Sequence, residues 1–152
     1  MIHKIDKYII RGLNQHNWQD KILVDKSGIS KGQISKLKNG MIEKLSAETF
    51  YLLVNAFQDD FAIAIPLVYP SLKNYNLRKH NHKKRNTFGS MMYHYEQSKN
   101  TLEEIAAKTG ISETRLSELY YRKGALEAYE LIIIEKALGL KEGELFKKLY
   151  HL

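Results

Sequence analysis

The side chains best suited to chemistry in this sequence are cations, and the chemistry they offer is binding to a polyanion. Between Ile29 and Ile42 stand Lys31, Lys36 and Lys38, with no acid among them. A second run, Arg78, Lys79, Lys83, Lys84 and Arg85, crowds five charges into eight positions. Such a run with no helical stripe suits an arm that tracks phosphates or enters a minor groove. The formal net charge of +7 is unevenly shared: residues 1–76 carry +3, residues 77–86 carry +5 and residues 87–152 carry −1. That distribution says more about a partner than the total does, because excess Lys also serves solubility and a charged linker can make no contacts. Catalysis has no comparable footing. No Gly-rich phosphate loop, nucleophile motif or paired-carboxylate pattern stands out, and His3, His16, His94 and His151 are scattered. His80 and His82 lack a third ligand, and the absence of Cys excludes disulfides and thiolate metal sites. No enzymatic activity, cofactor or metal is expected.

These cations need elements to hold them. The apolar share of 43% and charged share of 27% are those of a globular chain. Met1–Asp6 lacks the apolar core of a signal peptide. The most apolar run, Phe61 to Val68, falls far short of the ~20 residues of a membrane span. A soluble, cytoplasmic, all-α protein is expected, with no membrane partner. The chain also repeats itself. Val24-Asp25-Lys26-Ser27-Gly28-Ile29-Ser30 matches Ala106-Ala107-Lys108-Thr109-Gly110-Ile111-Ser112 at an offset of 82 residues. Further on the offset drops to 81, pairing Leu45-Ser46-Ala47 with Leu126-Glu127-Ala128.

Each copy reads as five short helices. In the first, the spacing of Ile5, Ile9 and Leu13 predicts a helix over 3–14. A second runs from Asn17–Gln19 to Lys26, where Gly28 supplies the turn. Ser30 caps a third over 31–38, ended by Asn39-Gly40. Ser46 caps a fourth with Phe50, Leu53, Val54 and Phe57 inward, and a fifth begins near Asp59-Asp60, limited by Pro66 and Pro70. In the second copy Met91, Met92 and Tyr95 mark a first helix, followed by helices over 102–109, 113–122, 127–138 and 142–150. Leu131, Ile134, Ala137 and Leu138 are the inward set of the fourth. The expected organisation is two tandem helix-turn-helix domains, 1–70 and 87–152, joined by a basic linker, 71–86.

The stretch KSGISKGQISKLKNG resembles the phage-repressor and Cro-like (XRE-type) helix-turn-helix family, over residues 1–70 and more weakly over 87–152. The resemblance implies a recognition helix in the major groove whose first residues reach base edges. Carried onto this sequence, it implies DNA contacts at Ser30, Lys31, Gly32, Gln33 and Lys36, with Lys donating to guanine O6/N7 and Gln suiting adenine. Lys38 and Asn39 would meet phosphates, as would the linker's Arg78, Lys79, Lys83, Lys84 and Arg85. In the second copy Thr114, Arg115, Arg122 and Lys123 are the candidate contacts, but Glu113 and Glu118 replace Lys31 and Lys36. The family often starts its second helix with a phosphate-clamping Gln; this chain has Asp20 and Leu102 there. Val24 also replaces the small residue expected in that helix.

The function implied is a sequence-specific transcriptional regulator that binds double-stranded DNA, as a homodimer. Because fold alone does not fix function, the alternative is a protein-interaction module, an adaptor or antitoxin-like partner. The net −1 of the second copy favours dimerisation or a protein partner for that half.

Overall fold

Residues 1–80, 101–121 and 126–150 are described by the computed structural model. Among them every regular element is helical, and the one β feature is an isolated antiparallel bridge between Ser46 and Glu127. Helix α1, Ile5–His16, buries the expected stripe of Ile5, Ile9 and Leu13 together with Tyr8. It starts two residues later than its stripe suggested and ends at Asn17 in the left-handed region (φ 54°), which Asn tolerates better than most residues. The Tyr8 hydroxyl donates to Asp59 across 2.6 Å, tying α1 to the segment before the fifth helix.

Next come α2, Asp20–Ser27, and α3, Lys31–Lys38, joined by Gly28 at φ 74°. Ser30 Oγ accepts from the Gln33 amide at 3.2 Å, satisfying one of the free donors at the start of α3. Helix α4, Ala47–Ala56, is capped by Ser46, and its predicted inward set of Phe50, Leu53, Val54 and Phe57 is buried. Helix α5, Phe61–Val68, begins where Asp60 caps the Ala62 amide. Contrary to expectation α5 runs through Pro66. The bond that Pro66 cannot donate would have gone to Ala62, and both residues are exposed, so water can meet that carbonyl. The stop comes at Pro70, which opens a 3₁₀ turn over Pro70–Asn74.

The second copy supplies α6, Leu102–Thr109, α7, Glu113–Tyr121, α8, Ala128–Ala137, and α9, Glu144–Tyr150. Met91, Met92 and Tyr95, predicted to mark a helix, lie outside the described residues. No described helix is long and apolar enough to cross a membrane.

Packing does not follow the boundaries 1–70, 71–86 and 87–152. One compact unit joins Met1–Tyr75 with Ala125–Leu152, and the other is Asn76–Gly124. In the first unit α4 packs on α2, α8 and α9. Phe146, fully buried, sits 5.0 Å from the Phe61 ring and 5.7 Å from Phe50. A Cβ on Gly143 (φ 88°) would come within 2.6 Å of the Phe61 ring, so the chain can approach this closely only without a side chain. The physical cause lies in α8. Leu131, Ile132, Ile133 and Ile134 are all buried, so this helix is apolar around most of its circumference and needs partners on more than one side. Of its predicted inward set, Ala137 and Leu138 are only half-buried, while Ile132 and Ile133 take their place. The buried carboxylate of Glu135 accepts from the Gly143 and Leu145 amides at 2.7 and 2.8 Å, and its burial pushes that carboxyl's pKa up. Among the described residues of the second unit, Ile105, Ala106, Ile111 and Leu116 are buried.

Candidate nucleic-acid interface

The inner face of α3 is sealed, with Ile34 and Leu37 at 0% exposure and Ile29 buried in the turn before them. The turn is held from within: Ser27 Oγ accepts from the Ile29 amide at 3.1 Å, and the Gly28 amide donates to the Val24 carbonyl at 2.9 Å. With α3 packed on α1 and α2, its outward side chains are presented by a rigid element. Lys31, Gly32, Ser35, Lys36 and Asn39 are exposed, and Gln33 is half-buried at their edge. The i, i+4 spacing of Lys31 with Ser35 and of Gly32 with Lys36 places these residues on one side of the helix. No acid interrupts it. A Cβ on Gly32 would meet nothing within 4 Å, so the protein itself does not require glycine there. Ser30 is exposed but its hydroxyl is occupied as the cap, and the Asn39 amide reaches Ser35 Oγ at 3.4 Å.

Lys38 stands apart from the other expected DNA ligands. Its ammonium lies 3.0 and 2.8 Å from the two carboxylate oxygens of Asp20, both side chains being about two-thirds buried. The pair links the end of α3 to the first residue of α2, where a carboxylate is favoured by the helix dipole. Lys38 is therefore a strut between α2 and α3. The same pair answers the anomaly at Asp20, whose charge is met by an ammonium within the protein. Sequence reasoning flagged Asp20 but missed its partner, because 18 residues separate them and no local periodicity links them. Gln19 precedes α2 without capping it, and Val24 is half-buried.

In the unit of residues 76–124, α7 has the same local scaffold. Ser112 Oγ accepts from the Arg115 amide at 3.1 Å, and Thr109 Oγ1 accepts from the Ile111 amide at 3.2 Å. Its outward chemistry differs. Glu113 and Thr114 are exposed, and Arg115 lies 3.6 Å from Glu118. Arg78 and Lys79 are exposed, yet the Arg78 amide donates to the Lys108 carbonyl at 2.8 Å and its guanidinium lies against the turn at Gly110. This part of the linker is thus anchored at its backbone. Lys83, Lys84, Arg85, Arg122 and Lys123 lie outside the described residues. Among the described residues no three His, Asp or Glu side chains gather as a metal would need.

Comparison with protein-family models, curated proteins and solved structures found no match. The functional reading therefore stands on the residues themselves.

Proposed function

We propose that this chain is a sequence-specific duplex-DNA-binding regulator of transcription that lays α3 in the major groove. The observation that carries the reading is the acid-free outward face of α3, with Lys31, Lys36 and Asn39 around the bare backbone of Gly32. A helix of this width fits the major groove, Lys donates to guanine O6/N7, and a glycine lets the backbone come close. The resemblance to the phage-repressor and Cro-like type implies the same residues. Exposed Arg78 and Lys79 add sequence-independent phosphate attraction.

Mobility shift on duplex DNA over a salt series tests it. Affinity should fall steeply with salt, as counterion release requires, and Lys31→Ala/Lys36→Ala should relax sequence preference. No binding even at low salt would sink the proposal and favour a protein-interaction module. That second reading draws support from α7, whose exposed Glu113 and half-exposed Tyr120 suit a protein partner better than a phosphate.

A further inference from the structure

The bridge at Ser46 and Glu127 joins residues that the internal repeat makes equivalent. The Ala47 amide donates to the Leu126 carbonyl at 2.8 Å, and the Ala128 amide donates to the Leu45 carbonyl at 3.0 Å. Leu45-Ser46-Ala47 and Leu126-Glu127-Ala128 are related by the offset of 81, so each segment gives the other the bond it receives. The elements that follow match as well. Helices α4 and α8 have ten residues each, and their N-caps sit at φ −69°, ψ 149° and φ −75°, ψ 146°. Their C-caps agree at φ −79°, ψ −6° and φ −80°, ψ −6°, and each is followed by a left-handed residue, Gln58 or Gly139. Residue i contacting j while j's equivalent contacts i's is the signature of a two-fold interface between identical subunits. Here both sides come from one chain, and the pairing lies wholly inside the unit of residues 1–75 and 125–152.

We infer that this protein closes its dimer-type interface on itself and acts as a single chain. The edge of Leu45–Ala47 is paired, the apolar residues Ala47, Phe50, Leu53 and Val54 of α4 are buried, and α8 and α9 both pack on α4, with Phe146 5.7 Å from Phe50. While this pairing stands, that edge and that face are closed to a second copy. This replaces the homodimer expected from the sequence. It also names the class of DNA, resting here on the proposed function: a duplex site carries one copy of the element read by α3, with no inverted repeat of it.

The absence of Cys in the chain makes a clean test possible. Ser46 and Glu127 face each other as a non-hydrogen-bonded antiparallel pair, for which Cα atoms lie about 4.5 Å apart, within disulfide reach. The full-length double variant Ser46→Cys/Glu127→Cys, oxidised with glutathione disulfide, should give an internally cross-linked monomer on a non-reducing gel. A covalent dimer, or two thiols that stay free, would overturn the inference. Sedimentation of the unmodified chain should show one 17.7 kDa species at every concentration, and a concentration-dependent dimer would overturn it equally. Selection from random duplexes should return a motif without dyad symmetry, bound by one chain. A palindrome holding two chains refutes the single-chain inference and leaves DNA binding standing. An internal cross-link with no enriched motif upholds the closed pairing and sinks the DNA reading instead.

Discussion

Helices α3 and α7 are set up by the same local devices and face outward with opposite chemistry. Each follows a left-handed glycine, Gly28 or Gly110, and each is capped by a serine, Ser30 or Ser112. In each turn a hydroxyl, Ser27 or Thr109, holds the second following amide. Yet Lys31 and Lys36 become Glu113 and Glu118. Caps, turns and apolar spacing thus specify the scaffold, while the outward positions are free to take different charges without disturbing it. A second contrast lies below them. Helix α4 has polar positions such as Glu48 and Asn55 at the surface, whereas α8 is buried along Glu130–Glu135. Two helices at equivalent places in the repeat therefore occupy different depths of one core.

The largest effect should come from the depth contrast. Phe146→Ala removes a fully buried ring packed on both Phe50 and Phe61 and should cost about 3–5 kcal/mol. Trp18, the sole tryptophan, lies in the first copy, stacked on His16 at 4.4 Å. Urea unfolding followed by its fluorescence should therefore move to a lower midpoint, although the substitution is in the second copy. An unchanged midpoint would return α9 to an independent second domain.

That packing shows where the sequence was legible. Ser30 and Ser46 were readable as caps because their hydroxyls act within three residues of themselves. The inward residues of α4 were readable although Tyr51 and Leu52 extend its apolar run, because the polar Glu48 and Asn55 narrow the choice of face. The run Leu131–Ile134 left several, and periodicity names an apolar face without naming what covers it. The grouping of 1–75 with 125–152 was therefore not legible in the sequence. The outward face of α3 was legible residue by residue, but the Lys38–Asp20 pair was not, since it depends on how α2 and α3 pack.

The charge contrast comes next. Lys31→Ala/Lys36→Ala should weaken binding to the selected duplex by about 1–3 kcal/mol for each base that a lysine no longer reads. Glu113→Lys/Glu118→Lys should raise general duplex affinity and steepen its salt dependence. Titration of both variants against specific and random duplexes checks this. Equal weakening on both duplexes from the first pair would make its lysines phosphate ligands rather than base readers.

Gly32 separates what the protein needs from what DNA needs. Because a Cβ there meets nothing, Gly32→Ala should stabilise the fold by up to about 1 kcal/mol through helix propensity. Its melting temperature should rise while its affinity for the selected duplex falls, the methyl group holding α3 away from the bases. A variant that is both more stable and equally tight would mean that α3 does not approach DNA at this point.

The smallest effect belongs to the strut, and its sign is informative. Asp20 and Lys38 are each about one-third exposed, and pairs of this kind contribute about 0–1 kcal/mol. Asp20→Asn should therefore change stability little, since the amide keeps the shape and can still accept from Lys38. The charge balance changes more. Removing one carboxylate from beside the end of α3 leaves Lys38 free to face a phosphate. Log K should then fall more steeply with log salt, by up to about 0.9 for the one added phosphate, and affinity at low salt should rise. Lys38→Met should lower affinity slightly and leave the salt slope unchanged, because an ammonium already spent on Asp20 releases no counterion from DNA. A shallower slope in Lys38→Met would show that Lys38 reaches phosphate in the wild type despite its partner.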